Sequence, residues 1–493
     1  MSALELLPHA ASGAVQNFIA GAFAPAASGE TLEDRDPARD HVITTIPRSA
    51  AVDVQRAVEA ANRARAGAWG KTSYEERAAL LDRVADTIES RLDAFARLES
   101  LDSGKPVSLA KSVDIPRAVA NFRFFAGAIR HQSTECHSMP NALNYTHRRP
   151  VGTFGLVTPW NLPLYLLSWK TAPALAMGNC IVAKPSELTP LTATALAEVF
   201  AEVGLPEGVF NLVHGLGAEA GQAISEHPEI EGVSFTGGTA TGKIVAATAA
   251  PMFKKLSLEL GGKNPSVVFA DCDLEKAIPG VARAAFANQG QVCLCGSRIL
   301  VERPIYDQFV EGFVAEVAKL QPGDPQDPAT NFGALISQAH RDKVEGYAKL
   351  AREEGGDVLH GGARPALSGD LAGGAFFEPT VVAGLGPDSR CATEEVFGPF
   401  ASLHPFDTEE EALAIANGVR YGLASSVWTT DLNRAHRVAA RIHSGMVWVN
   451  CWMMRDLRVP FGGMKDSGVG REGGHWSMRF YSEERNVCID LGE

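Results

Sequence analysis

Cys293 lies in the run Phe286-Ala-Asn-Gln-Gly-Gln-Val-Cys293-Leu-Cys295, a thiol in a glycine-containing loop just after a helical pattern. A free thiol titrates at about 8.5, so modest activation makes it a nucleophile for a carbonyl carbon. A buried cysteine that merely packs has the same signature. Glu259, in Leu256-Ser-Leu-Glu259-Leu-Gly-Gly-Lys-Asn264, is a carboxylate inside an otherwise apolar strand. Burial there raises its pKa into the range of a general base, unless a strand-end salt bridge neutralises it. Thr158-Pro159-Trp160-Asn161-Leu162-Pro163 fixes one amide between two prolines. Such an amide offers a preorganised N–H to a developing oxyanion, although alone the segment is also a plain rigid turn.

A fourth element suits an anionic ligand. The apolar run Gly232–Thr236 leads into Gly237-Gly238-Thr239-Ala240-Thr241-Gly242-Lys243 and then a helical pattern. Glycines at a strand-to-helix turn let backbone N–H groups and the helix dipole meet a pyrophosphate. The spacing nearly makes a Walker A loop, but Ile244 stands where that loop needs Ser or Thr for Mg²⁺. A P-loop nucleotide hydrolase is therefore a rival reading, and an ordinary tight turn is another.

These residues need elements to place them. Helical periodicity covers 51–68, 74–100 (closed by Ser103-Gly104-Lys105-Pro106) and 114–131, with Asp114 as its N-cap. From Gly152 the texture changes: short apolar runs at 152–158, 180–184, 209–213 and 232–236 alternate with turn signals and helices such as 191–203. Their spacing is that of βαβ units, so a parallel sheet follows. A second series starts with a strand at 265–269, a helix at 274–288, a strand at 297–301 and a helix at 305–320, and continues to about Ser444. The first thirty residues show no convincing period. Residues 151–169 are uncharged and long enough for a membrane span, but Pro159, Asn161 and Pro163 break any such helix and a buried strand and turn is expected.

With 493 residues the chain has room for several cores, and a net charge of −13 makes nucleic acid or an anionic membrane a poor partner. The eight cysteines form no disulfide framework or zinc ribbon, so no metal is expected. No basic n-region precedes an apolar core, since the first Lys or Arg is Arg35, and cytoplasm is the expected compartment.

Taken together the motifs resemble the aldehyde dehydrogenase superfamily from about residue 15 to the C-terminus. They are TPWNLP at 158–163, AKPSE at 183–187, FTGGTATG at 235–242, LELGGKNP at 258–265, NQGQVC at 288–293, EEVFGP at 394–399 and PFGGMKDSGVGRE at 460–472. The resemblance implies an α/β fold of two doubly wound domains. A Rossmann-type NAD-binding domain would take 1–131 and 151–261, and a catalytic domain 262–461. A small bridging β-sheet from 132–150 and 477–493 would assemble a homo-oligomer, a dimer or a tetramer.

It also implies roles. Cys293 would attack an aldehyde, Asn161 and the Cys293 backbone N–H would hold the oxyanion, hydride would pass to NAD, and Glu259 would activate water against the thioester. Lys184 and Glu187 match the adenosine-ribose positions, Glu395 the nicotinamide-ribose contact and Phe397 the wall behind the ring. Thr158, Trp160, Ser186, Phe235, Gly237, Gly238, Gly242 and Leu260 complete the cofactor set. Gly238 departs from a position that is commonly Ser, which leaves one pyrophosphate contact missing or supplied by backbone. Cys295 reads as packing or as a resolving thiol. A CoA-acylating relative is disfavoured because those enzymes typically lack the glutamate present here as Glu259, and retention of the three reacting residues disfavours a catalytically silent member.

Within the superfamily the chain is similar to the 2-aminomuconate and 2-hydroxymuconate semialdehyde dehydrogenases. The pieces are Asp114-Ile-Pro-Arg117-Ala with Asn121-Phe-Arg-Phe, Leu164-Tyr165-Leu-Leu-Ser-Trp169-Lys170, Cys293-Leu-Cys295, and Arg455-Asp-Leu before Pro460. This implies that Arg117, Tyr165, Trp169 and Arg455 line an aldehyde tunnel for a carboxylated semialdehyde. Another aldehyde, of the betaine-aldehyde or broad type, is the alternative. Arg117 also stands in the first turn of its expected helix, where the dipole disfavours a cation. Local ion pairs, Arg117 with Asp114 and Arg455 with Asp456, are the competing explanation for the arginines.

Overall fold

The computed structural model describes Leu7 and residues 13–492, so residues 1–6 and 8–12 of the expected first segment, and Glu493 of the last, lie outside the described residues. Apolar runs bounded by turns supply the strands of two parallel sheets. In the first, Phe210–Leu212, Cys180–Lys184, Thr153–Val157, Gly232–Thr236 and Lys255–Glu259 lie side by side in that order, all parallel. The first four of these strands are buried along their whole length, which is why they read as continuous apolar runs. The chain winds outward from Thr153–Val157 to one side and then to the other. A switch point therefore falls between Thr153–Val157 and Gly232–Thr236, with a ligand crevice at the carboxyl ends of the strands. Antiparallel Asn17–Ile19 and Ala22–Ala24 extend one edge and Gly468–Val469 the other.

The second sheet orders Asp357–His360, Thr380–Ala383, Phe400–Phe406, Arg298–Glu302, Pro265–Val268, Ala424–Trp428 and Met446–Val449, parallel except for the first strand. A third, antiparallel sheet joins Cys136–Ser138, Ala142–Pro150 and Ser482–Asp490. Asn161 follows the carboxyl end of one first-sheet strand and Glu259 ends another, whereas Cys293 and Glu395 precede strands of the second. The site thus lies where the carboxyl ends of one sheet meet the amino ends of the other.

Three helical expectations change. The helix Tyr74–Ser90 opens on a capping box, Glu76 N donating to Ser73 Oγ at 3.2 Å and Ser73 N to the Glu76 carboxylate at 2.7 Å. It stops at Arg91 (φ −114, ψ 22), and a second helix, Leu92–Ser103, follows, ending at Gly104 with φ +73. Asp114 is not an N-cap: helical backbone already runs through Val107–Leu109 and a wide turn at Ala110–Asp114 before Ile115–Arg130. Arg117 is consequently well inside a helical run, and the dipole no longer argues against it. Residues 151–169 give the strand Thr153–Val157, a turn, and then a fully buried helix, Pro163–Ala176, in place of strand and turn alone. Among the described residues no helix is long and apolar enough to cross a membrane.

The hairpins Asn17–Ile19 with Ala22–Ala24 and Thr31–Arg35 with Val42–Pro47 have no clear period in sequence.

Candidate active site

The Cys293 loop is built on unusual backbone. After the helix Leu274–Phe286 the chain places Asn288 (φ 50), Gln289 (φ 56) and Gly290 (φ +70) consecutively in the left-handed region. A Cβ on Gly290 would lie 2.1 Å from the Gly398 carbonyl oxygen, so no larger residue fits. Asn264 fixes the far side of the loop. Its Nδ2 donates to the carbonyls of Cys293 (2.7 Å) and Cys295 (3.0 Å), and its Oδ1 accepts from Ala424 N at 3.0 Å. Burial pushes the Cys293 thiol well up, helped by the nearby Glu259 and Glu395 carboxylates. At rest the thiol holds its proton, and a base must take it. Cys295 is buried, its thiol donating to the Ala287 carbonyl at 3.8 Å.

Asn161 reaches the same loop: its Nδ2 donates to Gln291 O at 2.8 Å, which leaves one amide hydrogen. The Asn161 backbone carbonyl accepts from Lys105 Nζ and from Asn288 Nδ2, each at 3.0 Å. Lys105 is itself buried and paired with Asp114 at 2.8 Å, with Glu99 at 3.7 Å. Desolvation, opposed by the Lys105 charge, pushes the Glu99 carboxyl up to about 7.

Glu259 is the last residue of Lys255–Glu259, and both carboxylate oxygens are buried without a hydrogen-bond partner among the described residues. Desolvation, then the charge of Glu472, raise its pKa well above the usual carboxylate range. Opposite them, Lys170 Nζ pairs with Glu472 at 2.7 Å and donates to Ser234 Oγ at 2.8 Å. The strand-end salt bridge that would have made Glu259 structural is absent from the described residues. One cavity of about 250 Å³ is lined by Asn161, Glu259 and Cys293 together with Trp160, Gly237, Gly238, Leu260, Glu395 and Phe397.

The remaining cofactor candidates lie along the switch-point crevice. Gly238 opens the helix Thr239–Ala249, and nothing lies within 4 Å of where its Cβ would be. The hydroxyls of Thr158 and Thr236 are buried without hydrogen-bond partners among the described residues. A Cβ on Gly242 would come within 2.4 Å of Leu260, and one on Gly237 within 2.5 Å of the Phe235 ring, so both glycines hold the turn close to the sheet. Lys184 Nζ pairs with Glu187 at 3.1 Å at the end of Cys180–Lys184, and Ser186 Oγ accepts from Leu188 N at 3.2 Å. Glu395 accepts from Gly262 N at 2.8 Å. Open space at a helix start, unspent hydroxyls and a carboxylate at each end fit a dinucleotide. Lys243, by contrast, is exposed and pairs with Asp466 at 3.4 Å, which removes the P-loop reading.

The four substrate candidates gather in one group that touches the apolar cluster around Cys293. Tyr165 packs in the apolar cluster that includes Cys293 and Phe461. Arg455 lies over Phe461 (3.9 Å) and Trp169 (4.4 Å), and its Nη1 donates to the Tyr165 hydroxyl at 3.0 Å. Arg117 lies over the Tyr165 ring at 5.5 Å; burial and Arg455 lower its pKa. The local ion pairs do not form, because Asp114 pairs with Lys105 and Asp456 with Arg458 at 2.5 Å.

A thiol, an amide donor and a buried carboxyl in one cavity beside an open strand-to-helix turn match a known family. The aldehyde dehydrogenase family model matches residues 23–487. The chain belongs to the aldehyde dehydrogenase family. Its activity is the NAD-dependent oxidation of an aldehyde to a carboxylic acid. It is similar to 2-hydroxymuconic semialdehyde dehydrogenase of Pseudomonas sp. (strain CF600), 50% identical over 97% of this chain and 99% of that one. It is 47% identical to 2-aminomuconic semialdehyde dehydrogenase of Mus musculus over 96% and 98% of the two chains. Among solved structures, PnpE in complex with nicotinamide adenine dinucleotide superposes with a TM-score of 0.95 at 44% identity, covering 97% and 98%.

For an aldehyde dehydrogenase, several residues that sequence reasoning passed over shape the site: Lys105 and Asn288 on Asn161, Asn264 on the Cys293 loop, the Lys170–Glu472 pair beside Glu259, and His340 and Lys343 on the cavity wall. Lys105 and Asn264 stand within motifs already noticed, SGKP and LELGGKNP, but nothing local marks their partners.

Proposed function

We propose that this aldehyde dehydrogenase oxidises an unsaturated semialdehyde bearing a carboxylate, of the 2-hydroxymuconic or 2-aminomuconic kind. The observation that carries the reading is the pair Arg117 and Arg455: two neighbouring guanidinium groups, both against Tyr165, neither bonded to a carboxylate and Arg455 Nη2 without a hydrogen-bond partner among the described residues. A half-buried guanidinium with no carboxylate partner among the described residues gains by taking an anionic group from a ligand. A guanidinium takes a carboxylate through two parallel N–H···O bonds. The names of the relatives agree with that chemistry.

In this reading Glu259 takes the thiol proton, and passes it to solvent, as the Cys293 sulfur bonds the aldehyde carbon. The second hydrogen of Asn161 Nδ2 and the Cys293 backbone N–H, which has no acceptor among the described residues, hold the resulting oxyanion. Lys184 and Glu187 would hold the adenosine ribose, Glu395 the second ribose, and the Gly237–Gly238 turn the pyrophosphate; when bound, the nicotinamide supplies the hydride acceptor that leaves a thioester on Cys293. Glu259 then takes a proton from water as the water oxygen bonds the thioester carbon. The acid departs and the thiol is regenerated. We assign residues 262–461 to the catalytic domain and 1–131 with 151–261 to the nucleotide domain. The exposed three-stranded sheet joins copies of the chain into a homo-oligomer, and eight unpaired thiols suit a reducing cytoplasm. A panel of carboxylated and neutral aldehydes, read by NADH absorbance, tests the substrate. Equal kcat/KM on both types would end this reading. Light scattering tests the assembly.

A further inference from the structure

His340, on the helix Gln338–Glu353, lines the cavity that holds Cys293 and Glu259. Its Nε2 is 2.6 Å from the Phe397 carbonyl oxygen. A carbonyl oxygen only accepts, so Nε2 carries the proton. Burial pushes the imidazole down to about 4, which keeps the ring neutral at physiological pH. Phe397 has φ 60, a left-handed conformation that a phenylalanine holds only when its surroundings impose it. No other hydrogen bond to its carbonyl occurs among the described residues. One turn along the same helix face, Lys343 Nζ lies 3.5 Å from the Glu395 carbonyl, so two side chains of one helix grip the segment that carries both Glu395 and Phe397. The rings also touch edge to face, Trp160 with Phe397 at 5.3 Å and with His340 at 5.2 Å.

We infer that His340 is a positioning residue for hydride transfer: its Nε2–H bond locks the strained Phe397 peptide and thereby aims the Phe397 ring against which the nicotinamide lies. The inference rests on the proposed placement of the nicotinamide at Phe397. It makes the hydrogen bond, rather than the bulk of the imidazole, the working feature. A loosened Phe397 would let the ring that accepts hydride drift, while Cys293 and the aldehyde wall stay in place.

Three variants separate these contributions. Gln at 340 can present an amide N–H where Nε2 stands; Asn is too short to reach; Phe keeps the edge-to-face contacts and lacks the donor. We expect His340→Gln to form NADH in the pre-steady state within about threefold of the native rate. His340→Asn and His340→Phe should both fall about tenfold to a hundredfold, the scale on which small misplacements act. Their KM for NAD should rise, with KM for the aldehyde and the melting temperature unmoved. A native rate in His340→Phe or His340→Asn would overturn the inference, as would a Gln variant as slow as the other two. A matching rise in both KM values or a drop in melting temperature would instead make His340 a general packing residue. Absence of NADH from the native enzyme with every aldehyde would remove the nicotinamide reading itself, an outcome visible before any variant is made.

Discussion

Arg455 Nη1 donates to the Tyr165 hydroxyl at 3.0 Å, and its Nη2 has no hydrogen-bond partner among the described residues. The guanidinium is thus aimed by a neutral group, with no carboxylate within ion-pair distance among the described residues. Replacing Arg117 or Arg455 by Ala should cost about 1.5–3 kcal/mol in kcat/KM for a carboxylated semialdehyde, the worth of a charged hydrogen bond. Neutral aldehydes of equal length should lose little. Equal losses on both would show that the arginines only support the fold.

Cys293→Ala should abolish NAD reduction, whereas Glu259→Ala should give one burst of NADH and stop at the acylated enzyme. The two residues act on different bonds, and a thioester should be trapped on Cys293 by mass spectrometry. Steady turnover in either variant contradicts the assignment.

Glu187, held 3.1 Å from Lys184, should set a preference for NAD over NADP, because its charge repels a 2′-phosphate. Comparing kcat/KM for the two cofactors checks this. Glu187→Gln should narrow the gap, and an NADP preference in the native enzyme refutes it.

Glu259 should also cost stability at alkaline pH. Its folded pKa is raised, so its contribution is complete below the unfolded value of about 4.3 and is lost as pH rises through the folded value. Glu259→Gln escapes that loss. Its melting temperature should exceed the native one at pH 8 by about 1 °C per kcal/mol relieved, the scale for a chain of this length, and the difference should close toward pH 5. Scanning calorimetry across that range decides it.

Gly290→Ala should lower kcat sharply, since φ +70 and a Cβ 2.1 Å from Gly398 O leave no room for a methyl group without moving the Cys293 loop. A fully active alanine variant would show that the loop tolerates another conformation.

Much of this site is legible in sequence because the reacting residues sit in short motifs whose local chemistry is self-contained: a thiol after glycines, an amide between prolines, a carboxylate in an apolar strand. The alternation of buried runs and helices likewise exposes both parallel sheets. What escapes is what depends on distant partners. Lys105 reads as part of a helix stop, yet its amine lies against the Asn161 carbonyl across 56 residues of chain. Asp114 reads as a cap because sequence cannot show that the residues before it are already helical. The break at Arg91 carries no proline or glycine, and the three-residue edge strands near Asn17 are too short for a period to register.

Asn264 ties the Cys293 loop to the seven-stranded sheet, while Glu259 ends a strand of the other sheet, and only Leu260–Lys263 separate the two residues in the chain. Within that connection a Cβ on Gly261 would strike the Glu395 carboxylate at 2.1 Å and one on Gly262 the Cys293 carbonyl at 2.9 Å. Bulk added at this bare joint would displace Glu395 or the Cys293 carbonyl, so the spacing of the two sheets across the site depends on two missing side chains.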